Sequence, residues 1–311
     1  MNKVIVIAGP TASGKTALSL DLALRLGGEI VSADSMQIYR RMDIGTAKAT
    51  PEEQAIVPHH MIDIVDPGEN YSVARYVEEA SACCEDILSR GKVPVITGGT
   101  GLYIDSLLSG RDFGEYDGSE SLREELNSRY DNSGGEKMLS DLKEFDPERA
   151  SILHASDKKR IVRAFEVYIL SGETITAHDE RTKSIPPRYS SLYMIPGFTD
   201  RSLLYNRIDL RVDEMMSSGL VSEVKALLES GLSAECTAMQ AIGYKETAQH
   251  LDGSFSLPEA TDLIKQASRR YAKRQLTWFN RHAEAFRLYH DSAETSDIRE
   301  IALSAAKEFL K

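Results

Sequence analysis

The feature that most constrains the fold is a glycine-rich loop, GPTASGKT, at residues 9–16. It matches the pattern G-x-x-x-x-G-K-[ST] without a mismatch. The apolar run at residues 4–7 predicts a buried parallel strand, and the apolar-rich stretch at residues 17–26, closed by two glycines, predicts a helix. Because strand, loop and helix follow in this order, the loop is predicted to bind a chain of phosphates.

The chemistry of such a loop assigns a role to each of its parts. Backbone N–H groups turn toward the anion, and the start of the following helix adds partial positive charge. We expect Lys15 to neutralise phosphate charge and the Thr16 hydroxyl to be a ligand of Mg²⁺, the cofactor that we predict. The predicted phosphate-binding residues are Gly9, Pro10, Thr11, Ala12, Ser13, Gly14, Lys15 and Thr16.

Strand and helix patterns alternate through the first part of the chain. EIVSADS at residues 29–35 and HMIDIVDP at residues 60–67 are typical of strands, and a helix is predicted between a cap at Ser72 and Gly91. KVPVITGGTGLYIDSLL, residues 92–108, indicates a strand, a glycine turn and a helix. This alternation predicts an α/β fold in which helices wrap a P-loop-type parallel sheet, with ligands at the carboxyl ends of the strands.

A second pattern interrupts this alternation. Residues 113–189 are strongly charged and helical in period, whereas a strand pattern resumes at residues 190–198 and the remainder is typical of helices. We therefore predict a helical insertion domain at 113–189, carried on an α/β core made of residues 1–112 and 190–311.

Amino-acid composition limits the cellular environments and the binding partners that we expect for this chain. Three cysteines are too few for a disulfide framework, and no apolar run is long enough to span a membrane, so we expect a cytoplasmic protein without a membrane partner. The chain also enters its first strand directly, which leaves no room for a signal peptide. The formal net charge of −11 disfavours non-specific nucleic-acid binding, so any RNA site has to be a local basic patch.

The residues after the loop weaken a nucleotide-hydrolase interpretation. Such enzymes usually hold Mg²⁺ through an Asp at the end of a second apolar strand, but that strand here ends at Thr97 and two glycines. Asp63 is predicted to lie inside a strand, and Asp66 follows it, so neither is well placed to take the role of the Asp that holds Mg²⁺. Asp34 ends the strand after the loop helix and is expected to face the phosphates, as a general base or as a cap of the next turn.

Several longer motifs together resemble the tRNA dimethylallyltransferase family. They cover nearly the whole chain in order: GPTASGKT, SADSMQIYRRMDIGTAK, PHHMIDIVDP, VITGGTGLYIDSLL, DKKRIVRAFEVY, LYNRIDLRVDEMMSSGLVSEV, QAIGYKE and YAKRQLTWF. The resemblance implies that the loop holds the diphosphate of dimethylallyl diphosphate. It also implies that the prenyl group goes to N6 of the adenosine 3′ of the anticodon, in tRNAs that read codons beginning with U.

The resemblance further implies roles for individual residues. Asp34 corresponds to the base that takes the amine proton, and Ser35 and Gln37 to contacts with the target nucleotide, where a Gln amide can pair with an adenine edge. Arg160 and Arg163 correspond to residues that reach the diphosphate or the tRNA. The implied tRNA contacts are Asp34, Ser35, Met36, Gln37, Thr100, Lys159, Arg160, Arg163, Gln240, Gly243, Tyr244, Lys245, Arg270 and Arg274.

Two basic stretches fit an RNA partner. In RRYAKRQLTWFNR, residues 269–281, Arg270 and Arg274 are four apart and share a helix face, although a solvated face over core aromatics explains them nearly as well. In the insertion, Lys159 lies at the start of a helix whose inward side is predicted to carry Ile161, Phe165 and Tyr168; we expect the insertion to close as a lid. Arg207 and Arg211 form another such pair, for which diphosphate contact and surface charge stay open.

Three other functions share part of these features. A small-molecule kinase would use the loop, Mg²⁺ and a lid; a prenyltransferase could act on free adenine nucleotides; and a non-catalytic RNA-binding regulator could hold a nucleotide structurally. The whole-chain resemblance favours the tRNA-modifying enzyme. Its implied partners are dimethylallyl diphosphate and the anticodon stem-loop of tRNA, and we expect a monomer.

Overall fold

The computed structural model describes residues 1–110, 120–292 and 297–311. The chain divides into two compact units, one formed by Met1–Leu108 with Arg188–Lys311 and the other by Ser109–Pro187. The start that we predict for the insertion, near residue 113, lies outside the described residues.

The first unit is built on a parallel sheet. Within the described residues the sheet has six strands in the order β3-β2-β4-β1-β5-β6. The strands are β1 (Lys3–Ala8), β2 (Glu29–Ser32), β3 (His59–His60), β4 (Pro94–Gly98), β5 (Ser190–Gly197) and β6 (Phe286–Tyr289). The pairing of β1 with β4 on one side and β5 on the other is parallel throughout. The predicted α/β fold with a P-loop-type parallel sheet is confirmed.

Helices surround the sheet and form the second unit. In chain order they are α1 (Lys15–Leu26), α2 (Pro51–Ile56), α3 (Val73–Ser89), α4 (Gly101–Ser109), α5 (Glu120–Ser133), α6 (Gly135–Phe145), α7 (Pro147–Ile152), α8 (Lys158–Ser171), α9 (Ile175–Lys183), α10 (Arg201–Ser217), α11 (Leu220–Glu229), α12 (Tyr244–Leu251), α13 (Leu257–Phe279) and α14 (Ile298–Leu310). No helix in the described part of the chain has the length and hydropathy needed to cross a membrane.

The apolar residues of β1 and α1 explain how the loop between them is held. Ile5 and Ile7 of β1 pack with Leu18 and Leu22 of α1 in a buried cluster. Burial of each such side chain contributes roughly 1.5–3 kcal/mol. The loop at residues 9–14 is therefore anchored at both ends in the core.

Two predictions about strands are wrong. Residues 60–66 are predicted to form one strand, but β3 ends at His60 because Met61 and Asp63 adopt left-handed φ values of 63° and 55°. Asp63 therefore lies in a turn, where its carboxylate accepts a hydrogen bond from Lys48 at 2.6 Å. The last third of the chain is predicted to be helical throughout, yet Phe286–Tyr289 forms the edge strand β6.

The second unit has its own helical core. Ile161 and Phe165 of α8 are buried, and Phe165 packs edge to face on Phe145 at 5.1 Å between ring centroids. Tyr168 is predicted to face inward as well, but it is 38% exposed and stacks over Phe145 from outside the core. Its position one turn beyond the core explains the difference.

Candidate active site

The glycine-rich loop turns tightly into the first turn of α1. Ala12 and Gly14 have left-handed φ values of 61° and 88°, and α1 begins at Lys15. At Gly14 a Cβ would lie 2.9 Å from Nε2 of His290, so a side chain there would meet both strain and a close neighbour. This geometry places the N-terminus of α1 beside the loop, where an anion is stabilised.

A glutamine from α13 connects the loop to the end of β4. The backbone N–H of Thr11 donates to Oε1 of Gln275 at 2.9 Å, and Nε2 of Gln275 donates to the carbonyl of Gly99 at 3.0 Å. Gln275 is only 5% exposed. Gln275 is not among the predicted site residues; the signal in the sequence is a polar residue on the buried side of an amphipathic helix.

Two basic side chains hold the outer carbonyls of the loop. Nε of Arg207 donates to the carbonyl of Ala12 at 3.0 Å, and Nε2 of His290 donates to that of Ser13 at 2.9 Å. His290 also stacks on Phe198, with ring centroids 5.0 Å apart. Through these two hydrogen bonds, residues far away in the sequence fix the conformation of the loop.

A cavity of about 340 Å³ lies against the inner side of the loop. Polar groups converge on it from three elements, and apolar side chains of α10, α13 and the 36–46 segment complete the lining. Its lining includes Thr11, Lys15, Thr16, Asp34, Ser35, Met36, Gln37, Gly45, Thr46, Ile208, Arg211, Val212, Met215, Gln240, Ile264, Tyr271, Arg274 and Gln275. We call it the inner cavity. It combines a cationic wall beside the glycine-rich loop with an apolar wall.

The electrostatics of the inner cavity are dominated by Lys15 and its neighbours. Nζ of Lys15 donates to the carbonyl of Pro10 at 2.7 Å. Burial, and then the positive charge of Arg211, lower the pKa of Lys15 to about 7, while Asp34 acts in the opposite direction. Burial also lowers the pKa of Arg211. Two desolvated cations beside one carboxylate form a wall that an added anion would stabilise.

The two arginines of α10, Arg207 and Arg211, both lie next to the glycine-rich loop. Arg211 lines the inner cavity together with Lys15, so it is not an ordinary surface charge. Arg207 is exposed on one side but bonds to the loop backbone. Both side chains therefore belong to the surroundings of the loop.

Asp34 lies on the inner cavity just beyond β2. Its Oδ1 accepts hydrogen bonds from the backbone N–H of Met36 at 2.9 Å and of Gln37 at 3.4 Å. The turn after Asp34 is also held from β4, because Oγ1 of Thr100 accepts from the N–H of Ser35 at 3.0 Å. Asp34 thus caps the turn with one oxygen, and no partner among the described residues occupies Oδ2.

Gln37 has a different environment from the one we predicted. Its Nε2 donates to the carbonyls of Thr46 and Ala47, both at 3.2 Å, and its Oε1 accepts from the hydroxyl of Ser32 at 3.2 Å. Since the amide is satisfied within the protein, the expected pairing of Gln37 with an adenine edge does not match this arrangement. The residue lines the inner cavity but holds a loop.

The QAIGYKE stretch divides into buried and exposed residues. Gly243 is buried, and Tyr244 is fully buried with its hydroxyl donating to Glu223 at 2.5 Å. The predicted tRNA contact of Tyr244 is therefore corrected, because its side chain belongs to the core. Gln240 and Lys245 are exposed, and Gln240 also lines the inner cavity.

The two basic residues that we predict on α13 are exposed, and Arg274 lines the inner cavity. Arg270 and Arg274 are both exposed, and Arg274 lies over the ring of Tyr271 at 5.5 Å. Burial, followed by the charge of Asp34, raises the pKa of Tyr271 to about 12. In the second unit, Lys159, Arg160 and Arg163 are exposed on α8, and Arg163 pairs with Glu166 at 2.8 Å.

The oxygen donors near the loop suit Mg²⁺ that is also bound by substrate phosphates and water, rather than a metal ion bound by protein ligands alone. Thr16 is exposed at the junction of the loop and α1, and Asp34 lines the same cavity. Within the described residues, no group of three or more His, Cys, Asp or Glu side chains could hold a metal. Mg²⁺ commonly takes one or two protein oxygens and completes its shell with substrate phosphates and water.

A larger cavity of about 860 Å³ adjoins the same loop. Lys15, Thr16, Arg211 and Met215 line both cavities. Fold and site together define an α/β protein in which a glycine-rich loop with cationic neighbours and a carboxylate line the same partly apolar cavity.

Comparison with known proteins identifies the family. A family model described as IPP transferase matches residues 37–282, and one described as isopentenyl transferase matches residues 2–59. The chain belongs to the IPP transferase family, which confirms the resemblance seen in the motifs.

Individual relatives cover most of the chain. A tRNA dimethylallyltransferase of Carboxydothermus hydrogenoformans is 49% identical over 280 residues, which is 90% of this chain and 89% of the relative. The solved tRNA isopentenylpyrophosphate transferase of Bacillus halodurans is 40% identical with a TM-score of 0.74, covering 100% of this chain and 97% of that one. A eukaryotic dimethylallyltransferase acting on tRNA is 29% identical with a TM-score of 0.85, covering 100% and 80%.

Proposed function

We propose that this protein transfers a dimethylallyl group from dimethylallyl diphosphate to N6 of the adenosine 3′ of the anticodon in tRNA, releasing diphosphate. The observation that carries the proposal is the inner cavity, where Lys15, Thr16 and Arg211 face Asp34 in a chain of the IPP transferase family. We also propose that the protein acts on tRNA as a monomer. Because the proposed substrate is tRNA, we assign the reaction to the cytoplasm.

The leaving group is stabilised by the cationic wall. As the bond between C1 of the prenyl group and the diphosphate oxygen breaks, the electron pair goes to the diphosphate. The loop N–H groups, Lys15 and Arg211 would stabilise the resulting charge, as preorganised donors do in other active sites. Mg²⁺, held through the Thr16 hydroxyl, would supply further neutralisation of this charge.

The attacking group is an exocyclic amine whose lone pair is delocalised into the purine. N6 attacks C1, and its proton goes to Oδ2 of Asp34, the oxygen that does not cap the turn. The Asp34 side chain is held by the N–H groups of Met36 and Gln37, so its orientation is fixed before substrate binds. Proton removal by a group held in place typically contributes ~10²–10⁴ in rate.

The adenosine has to leave its stack to reach the inner cavity. Gln240 and Arg274 provide exposed polar and cationic side chains that line this cavity, and Arg270 and Lys245 are exposed on α13 and α12. In the insertion, Lys159, Arg160 and Arg163 offer a second exposed basic surface. Their contacts with tRNA or diphosphate are part of this proposal.

One assay tests the proposal against the alternatives. The protein is incubated with labelled dimethylallyl diphosphate and unmodified tRNA, with adenosine monophosphate as a competing acceptor, and in parallel with labelled ATP. We expect label in tRNA alone. Label in the free nucleotide would indicate the other prenyltransferase, and transfer from ATP to a small molecule would indicate a kinase.

A further inference from the structure

A carboxylate outside both cavities organises the segment between them. Glu223 of α11 accepts the backbone N–H groups of three successive residues: Asp43 at 2.9 Å, Ile44 at 2.8 Å and Gly45 at 3.2 Å. Its Oε1 also accepts the hydroxyl of Tyr244. One side chain therefore satisfies four donors from two parts of the chain.

The segment at residues 43–48, which we call the dividing loop, depends on this carboxylate. It belongs to no helix or strand, so its N–H groups have no partner in a ladder. At Gly45 a Cβ would lie 2.4 Å from the ring of the buried Tyr244, which shows how closely the loop backbone approaches α12. Removal of the carboxylate would leave the partly buried N–H groups of Ile44 and Gly45 and the exposed N–H of Asp43 without this acceptor. An unpaired buried donor costs free energy, so the loop is expected to move to find other partners.

The dividing loop separates the two cavities and connects to the proposed base. Gly45 and Thr46 line the inner cavity, while Asp43, Ile44, Ala47 and Lys48 line the larger one. The carbonyls of Thr46 and Ala47 accept from Nε2 of Gln37. The backbone N–H of Gln37 in turn donates to Oδ1 of Asp34 at 3.4 Å.

The glycine-rich loop is held by other residues. Its hydrogen bonds to side chains of distant elements involve Gln275, Arg207 and His290, and none of these residues is hydrogen-bonded to Glu223 within the described residues. The glycine-rich loop and the dividing loop thus have separate supports. A change at Glu223 is expected to displace the wall that carries Asp34 and to leave the cationic wall in place.

We propose that Glu223 is a positioning residue for prenyl transfer, acting through the dividing loop and Gln37 on the orientation of Asp34. This inference rests on the proposed function. Glu223 lines neither cavity, so it does not touch the substrates. Its effect is on kcat rather than on binding of the diphosphate donor.

The test measures kcat for tRNA prenylation and, separately, the Kd of dimethylallyl diphosphate by calorimetry. In Glu223→Gln, one amide oxygen replaces two carboxylate oxygens and cannot accept all four donors. We expect kcat to fall ~10–100-fold, as displacement of a catalytic group by about 1 Å does, while the donor Kd changes by less than about twofold. Glu229→Gln, at an exposed position of the same helix, is the matched control and is expected to keep wild-type values.

Two further variants make the outcome decisive. Tyr244→Phe removes only the hydroxyl and keeps the backbone contacts of Glu223, so its kcat is expected to stay within about threefold of wild type. Gln37→Met removes the donation to Thr46 and Ala47 without adding charge to the inner cavity and without touching α11, and it is expected to repeat the loss of kcat at unchanged donor Kd. It carries the test if Glu223→Gln does not fold.

The contrary results are distinct. Wild-type kcat in Glu223→Gln, or a folded variant in which kcat and donor affinity fall together, overturns the positioning role. If Glu223→Gln is unfolded, wild-type kcat in Gln37→Met overturns it as well. Absence of prenyl transfer by the wild-type protein overturns the proposed function, and with it this inference.

Discussion

The side-chain amide of Gln275 occupies the space that a side chain at position 99 would need. Its Nε2 donates to the carbonyl of Gly99 at 3.0 Å, and a Cβ on residue 99 would lie 2.3 Å from that nitrogen. The Gln275 amide can therefore take this position against the end of β4 because residue 99 has no Cβ. The same amide holds Thr11, so this contact couples two loops of the site.

Gly99→Ala is expected to push Gln275 out of this position and to destabilise the fold by about 1–3 kcal/mol, the usual cost of overpacking. Chemical denaturation followed by circular dichroism measures it. Gly197→Ala is the matched control, because a Cβ there would meet none of the described atoms within 4 Å. Equal unfolding midpoints for the two variants would show that Gln275 moves aside at little cost.

Asp34→Asn separates the two roles of this residue. The amide keeps an acceptor oxygen for the N–H groups of Met36 and Gln37 but cannot take a proton from the amine. We expect kcat to fall ~10²–10⁴-fold with tRNA affinity retained. Asp262→Asn, at an exposed position of α13, is the control, and a near-normal kcat in Asp34→Asn would remove Asp34 from the role of base.

The pKa of Lys15, lowered to about 7 by burial, predicts how diphosphate binding depends on pH. A bound anion favours the charged form and raises this pKa, so binding takes up a proton above pH 7. Affinity is therefore constant below pH 7 with respect to Lys15 and falls by up to about tenfold per pH unit above it. Calorimetry with inorganic diphosphate at pH 6–9 measures the change.

Lys15→Arg is the comparison for this titration. Its guanidinium stays charged over the whole range, and the titration of the ligand itself is common to both proteins. The ratio of the two affinities is expected to change with pH only above 7. A constant ratio would contradict the lowered pKa.

The exposed arginines of α13 are expected to contribute to tRNA binding by neutralising phosphate charge. In the double variant Arg270→Gln, Arg274→Gln, the slope of log affinity against log salt should become shallower by about 1.4, at ~0.7 for each single-strand phosphate that is no longer neutralised. Filter binding over a salt series measures the slope. Lys307→Gln, at an exposed position of α14, is expected to leave it unchanged, and an unaltered slope in the double variant would exclude a role for these arginines.

The parts of the fold that could be predicted from the sequence have local causes. The strand, glycine loop and helix at residues 3–26 follow from apolar runs and glycines that are adjacent in the chain, and the same holds for the cap of α3, where Ser72 accepts from Arg75. Residues 60–66 carry an apolar pattern too. There, however, the left-handed backbone at Met61 and Asp63 ends the strand. The Asp63 carboxylate instead accepts a hydrogen bond from Lys48, which no local sequence pattern predicts.

For the candidate site, too, the sequence predicts only what residues adjacent in the chain determine. A motif located Asp34, Lys15 and Thr16, but the partners that orient the loops come from far along the chain: Gln275 is 264 residues from Thr11, and Glu223 is 180 residues from Asp43. Such contacts have no periodicity. Gln37 is an example. Its motif predicts a functional role, whereas only the fold shows that its amide bonds to the dividing loop.

The order of the strands has a consequence for biosynthesis. β1 and β4 are made early, but the other flank of β1 pairs with β5, which emerges from the ribosome only after the whole second unit. Until then the nascent chain exposes an unpaired strand edge of buried, apolar sequence, a template for association with other chains. Translation speed through the insertion therefore sets how long this edge stays unpaired.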